Sequence, residues 1–79
     1  MNAIQLMYPT KSLKSKRACY RHMRGILQAM SRTFEEEVLK HKNYDLWDDC
    51  LLAYTQVLQE CIQKIKDFEL QEAKKEDHS

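Results

Sequence analysis

Residues 47–68 read WDDCLLAYTQVLQECIQKIKDF. Within this stretch Trp47, Leu51, Tyr54, Leu58, Cys61, Ile65 and Phe68 step by four, three, four, three, four and three positions. That spacing keeps one face of an α-helix apolar over three heptads. Leu46, Cys50, Ala53 and Val57 form a second row beside the seam, and Leu52 and Ile62 lie off both. A helix apolar over more than half its circumference needs more than one neighbour. The pattern predicts a helix B over about 44–73, with Asn43 or Asp45 as N-cap and Asp48 and Asp49 near the positive end of its dipole.

Upstream, the apolar pattern lapses at Lys40-His41-Lys42, cations suited to a helix C-terminus, so the turn belongs there. Before it, Tyr20, Met23, Leu27, Met30 and Phe34 make one helical stripe, with Leu13 a heptad earlier and Ile26 and Val38 beside it. This is helix A, expected over about 11–41 and interrupted only by Gly25, which costs about 1 kcal/mol relative to alanine. Thr10 or Ser12 can cap it. Pro9 holds Tyr8 out of the helical region, so residues 1–10 are expected to be an extended N-terminal arm. Downstream, the segment from Glu72 to Ser79 is almost free of apolar residues, and 76–79 are expected to be a disordered tail.

The fold class that follows is all-α: a long antiparallel hairpin of two helices occupying residues 11–75. One glycine and one proline in 79 residues leave little material for turns. Two helices of equal rise then pair residues whose numbers sum to about 84 or 85, which sets Leu27 opposite Leu58 and Met23 opposite Cys61. A core of this size is marginal without help, and with no third helix in view the surplus apolar surface is expected to be covered by a second copy or by a protein partner. The expected interface residues are Trp47, Leu51, Tyr54, Leu58, Ile65 and Phe68, with Leu46 and Val57 from the second row.

The formal net charge of +1 conceals an asymmetry. Residues 1–34 hold seven Lys or Arg and no acid, whereas residues 35–79 hold six Lys or Arg and all twelve acids, giving +7 against −6. Either basic helix A lies beside acidic helix B and the fields cancel, or Lys11, Lys14, Lys16, Arg17, Arg21 and Arg24 form a basic amphipathic surface. Such a surface suits an acidic protein groove; an anionic membrane surface is a less favoured ligand. Nucleic acid is not expected, because no helix-turn-helix, zinc finger or aromatic platform accompanies the charge. The acid-free, amphipathic first half also has the composition of a mitochondrial leader, though its removal would discard helix A.

Catalytic chemistry finds no foothold. Cys19, His22 and Cys61 make three potential zinc ligands without a fourth, and a core thiol explains Cys61 as well. Glu35-Glu36-Glu37 and Asp48-Asp49 place adjacent carboxylates in different directions around a helix, which suits a solvated face better than an acid–base pair. A single glycine excludes a glycine-rich phosphate loop. No cofactor, metal or catalytic residue is expected. Three cysteines, an odd number without a leader-like segment before them, read as reduced thiols. The expected location is intracellular and reducing, the cytoplasm or nucleus, with the mitochondrion as alternative. No stretch is apolar enough for a transmembrane span.

Cys19-Tyr20-Arg21 followed by Phe34 resembles the leucine-tyrosine-arginine motif of small helical mitochondrial assembly factors, with Cys19 where that motif has leucine. Arg24-Gly25 is similar to the middle of a calmodulin-binding IQ motif, with Ala29 at the place of its later arginine. Each resemblance covers only a few positions, and no family is assigned on them. The functional expectation is a non-enzymatic adaptor or structural subunit that buries its heptad seam. The alternatives are a regulatory ligand acting through basic helix A and a small mitochondrial assembly factor.

Overall fold

The computed structural model describes residues 2–77, the last two by their backbone alone. The chain forms α1 (Ala3–Met7), α2 (Lys16–Thr33) and a long α3 (Tyr44–Asp77), with a π-helical segment Phe34–Lys40 continuing α2. No strand occurs among the described residues. The molecule is an elongated rod of 57 × 21 × 16 Å. None of its described helices is long and apolar enough to cross a membrane.

The N-terminal arm is not simply extended. Pro9 ends a helix here instead of preventing one: α1 closes before it, at a C-cap on Tyr8. Asn2 accepts a hydrogen bond from the Gln5 amide, while the Gln5 side chain accepts one from the Asn2 amide, both at 2.8 Å. This reciprocal capping box satisfies two of the orphan donors of a five-residue helix. The chain then crosses to α2, which starts at Lys16 and not near Lys11, because Ser15 is the residue whose hydroxyl accepts from a first-turn amide, that of Ala18, at 3.1 Å. Thr10, expected as a cap, donates instead to Glu60.

At the far end the π-helical segment has a packing consequence. At a constant 3.6 residues per turn, Val38 would lie on the same side of the helix as Leu27, about three turns away. A π-helix holds an extra residue in each turn, so side chains beyond it lag in phase. Val38 thereby turns inward and is buried. The reversal follows at once: Lys42 adopts φ 57°, and the amides of Lys42 and Asn43 donate back to the carbonyls of Val38 and Glu37. The Asn43 side chain then accepts from the Leu46 amide and starts α3. Helix α3 runs through Asp77, so the first half of the expected tail is helical; residues 78 and 79 lie outside the described residues.

Helices α2 and α3 lie along each other. Lys16 meets Glu72, Thr33 meets Tyr54 and Phe34 meets Trp47, so rising numbers on one go with falling numbers on the other. The buried residues are Cys19, Ile26, Ala29 and Val38 on the first arm and Tyr54, Val57 and Cys61 on the second. This corrects the expected stripe of helix A. Tyr20 and Leu27 are more than half exposed, and their neighbours Cys19 and Ile26 take the inner places. On α3 the buried line runs between the two predicted rows, taking Tyr54 and Cys61 from the seam and Val57 from the second row.

Candidate functional site

At about 100° per residue, the buried line of each long helix divides its remaining apolar residues into two flanks. In an antiparallel pair, flanks of the same angular sense fall on the same side of the molecule. One side carries His22 and Ala29 of α2 with Gln56 and Glu60 of α3, and α1 covers it. The Asn2 side-chain amide donates to Gln56 at 2.6 Å, and Gln5 and Thr10 both donate to Glu60. Tyr8 sets its ring against His22 and Tyr54, and its carbonyl accepts from His22 Nε2 at 3.2 Å. Ile4 and Tyr8 pack against the core cluster. The third helical neighbour, which the sequence offered only if residues 1–9 supplied a turn, is thus supplied by residues 3–7.

The opposite side has no cover among the described residues. It carries Tyr20 and Leu27 of α2 and Phe34 of its π-helical continuation at heptad intervals, and Trp47, Leu51, Leu58 and Ile65 on α3. Tyr20 is 55% exposed, Leu27 53% and Leu51 39%, while Trp47, Leu58 and Ile65 are half-buried. Phe34 and Trp47 meet edge to face across the two helices at 5.2 Å, which ties one end of this side together. The result is a two-helix apolar face about 27 Å long, the length of an 18-residue helix.

The residues expected to form an interface therefore divide. Trp47, Leu51, Leu58 and Ile65 lie on the open face. Tyr54 and Val57 belong to the chain's own core, with the Tyr54 hydroxyl 3.3 Å from that of Thr33. Phe68 is half-buried near the N-terminal end of α2, and Leu46 is exposed beside the turn. Tyr20, Leu27 and Phe34, assigned to internal packing by the sequence, are the open-face residues that sequence reasoning misplaced. Their exact seven-residue spacing carried the signal, since it is shared with a coiled-coil seam that seeks a partner.

Of the expected basic surface, Lys11, Lys14, Arg17, Arg21 and Arg24 are exposed. Lys16 is held by Glu72 at 2.9 Å, and this hydrogen bond raises its pKa above the ordinary lysine value. That is the one ion pair joining α2 to α3 among the described residues. Arg17, Arg21, Arg24 and Arg32 have no ion-pair partner within the described chain. The field-cancelling arrangement is therefore present as two helices side by side, but with little direct pairing.

All three cysteines are free thiols. Cys19 and Cys61 are fully buried, and burial, reinforced by Cys19, pushes the Cys61 thiol up to about 11. Burial also raises that of Cys50, with Asp49 and Glu37 adding to it. A thiol held neutral is a poor metal ligand and a poor nucleophile. Among the described residues no group of three or more His, Cys, Asp and Glu is placed to hold a metal ion. An open cleft of about 370 Å³ beside α1 is lined by Met7, Tyr8, Arg32 and Glu36 among others.

No family model matches this chain, and no curated protein or solved structure is significantly similar to it.

Proposed function

We propose that the chain is a non-enzymatic protein–protein interaction module, a helical hairpin that completes its packing by burying the open face of α2 and α3 against a partner or a second copy. The observation that carries this reading is the contrast between the two sides of one helix pair: one is sealed by α1, and the other leaves Tyr20, Leu27 and Leu51 in solvent. Fully burying a side chain of this size contributes roughly 1.5–3 kcal/mol, and for half-exposed ones about half of that is still to be gained. The mechanism is burial of apolar surface, with no bond made or broken. A photoreactive residue introduced at position 27 or 51 tests it in the cells that express the chain. Cross-links to protein are expected from those positions and not from position 52, whose leucine is 62% exposed on the outer surface of α3. Equal labelling from all three would overturn the reading.

A second reading has its own observation, the four arginines of α2 without ion-pair partners among the described residues. Here α2 is a regulatory ligand for an acidic groove or an anionic surface, and its capture should weaken steeply with salt whether or not position 51 is altered.

A further inference from the structure

We propose that the occupant of the open face is a second copy of the chain, related by a twofold axis parallel to the helices, so that α2 of each copy lies on α3 of the other. This rests on the interaction-module reading above and names its partner.

The charge on the two helices selects both the partner and the arrangement. Helix α2 carries Lys16, Arg17, Arg21, Arg24 and Arg32 and no acid, a charge of +5. Helix α3 carries nine acids and four lysines, a charge of −5, with Glu60 engaged on the side that α1 covers and Glu72 by Lys16 of the same chain. A ligand of one sign that spans the face, such as an anionic membrane or a uniformly acidic groove, meets attraction along one helix and repulsion along the other. What fits is a surface with an acidic helix beside a basic one in the opposite order, and the same apolar face turned over presents that surface. Self-complementarity of this kind is what an isologous twofold contact requires.

Two twofold arrangements stack the faces with helices aligned. An axis across the helices sets α2 on α2, with +5 against +5. An axis along them sets the basic helix α2 on the acidic helix α3 and makes every neighbouring pair in the four-helix bundle antiparallel. In the second arrangement the levels along the rod are kept, so Leu27 of one copy reaches the level of Leu58 in the other, and Arg17 reaches that of Glu69. Arg17 has no ion-pair partner among the described residues, and Glu69 lies at the border of the open face. The face also has the necessary size: about 27 Å of α2 by the 21 Å width of the rod gives on the order of 550 Å² in projection, above the roughly 500 Å² per partner that a specific contact needs at the least.

Size exclusion with light scattering on the full, reduced chain at roughly 100 μM, with circular dichroism on the same fractions, reads the prediction. A helical dimer is expected, weakening as salt rises from about 0.05 to 0.5 M. Leu27→Glu and Leu51→Glu should each give a helical monomer, and Leu52→Glu should remain dimeric. Arg17→Glu should weaken the dimer roughly tenfold, and mixing it with Glu69→Arg should restore association. A wild-type monomer, or a dimer indifferent to Leu27→Glu and Leu51→Glu, overturns the proposal. A dimer indifferent to Arg17→Glu and strengthened by salt overturns the arrangement of α2 on α3. If the chain is monomeric while positions 27 and 51 still cross-link selectively to another protein, only the second copy fails; if neither result appears, the interaction-module reading fails with it.

Discussion

The two sides of the α2–α3 pair are built from neighbouring residues and meet different ends. Ile26 is fully buried and Leu27, one residue on, is 53% exposed; Val57 is fully buried and Leu58 only half so. Composition does not separate them. What separates them is the stretch 2–15 before α2, which folds into a short capped helix and a crossing that reach only one side. The covered side is finished by polar contacts, Asn2 to Gln56 and Gln5 and Thr10 to Glu60, that fasten a small helix too short to be stable alone. The bare side has leucines and aromatics where those contacts would be. The described residues leave one side of the 34-residue α3 without cover, and the proposed function places the partner on that side.

The largest expected effect sets these neighbours against each other. Ile26→Ala removes a fully buried side chain and should cost about 2–5 kcal/mol of unfolding free energy, whereas Leu27→Ala should cost under about 1 kcal/mol in the dilute monomer. Urea denaturation at low protein concentration measures both. Raising the concentration should enlarge the Leu27→Ala loss alone, because only that side chain is buried by association. Equal losses at all concentrations would erase the distinction between the sides.

Next in size is an effect at the line between the sides. The folded chain keeps the Cys61 thiol protonated to about 11, against an ordinary value of 9.0. Between these values the unfolded chain releases a proton that the folded one retains, so stability is complete below pH 9 and falls as pH rises toward 11. Two units correspond to about 2–3 kcal/mol. Thermal melts of the wild type and of Cys61→Ala across this window should show the decline shrinking by that amount in the variant. An unchanged slope would mean that the inner line is wetter than its burial implies.

Much of this was legible in the sequence. The heptads of residues 47–68 and the cationic stretch at 40–42 located the long helix and the reversal, because both depend on local spacing and charge. Met23 and Met30 of the expected helix A stripe do pack against the core, while at Tyr20 and Leu27 the inner place shifted by one residue for a physical reason. Both Ile26 and Leu27 satisfy a helical period, and which of them faces inward depends on where α3 and α1 press, which period alone does not contain. The π-helical segment was not legible either, since FEEEVLK has no feature that marks an inserted residue; Val38 is inside because of it. Helix α1 did leave a mark. Asn2 and Gln5 stand at capping-box spacing, and Pro9 is a stop signal for a helix ending before it as much as an obstacle to one passing through. Of the open face, the α3 half could be named in advance and the α2 half could not.

The smallest effect concerns the cover itself. Asn2→Ala removes the side chain that caps α1 and donates to Gln56, a loss of about 1 kcal/mol for a capping residue. If α1 opens as a unit of its own, that cost falls on local opening: the amides of Leu6 and Tyr8, which donate to Asn2 and Ile4, should exchange with solvent roughly fivefold faster, while the amides of Ile26 and Val57 keep their protection. The side now sealed would then be open part of the time, differing from the bare side in degree. If Ile26 and Val57 accelerate equally, α1 unfolds only with the rest of the rod, and the two sides differ in kind. The packing favours the first outcome. No residue of α1 is fully buried, and its hold on α3 is made largely of side-chain hydrogen bonds at partly exposed positions, each worth about 1 kcal/mol and each in competition with water.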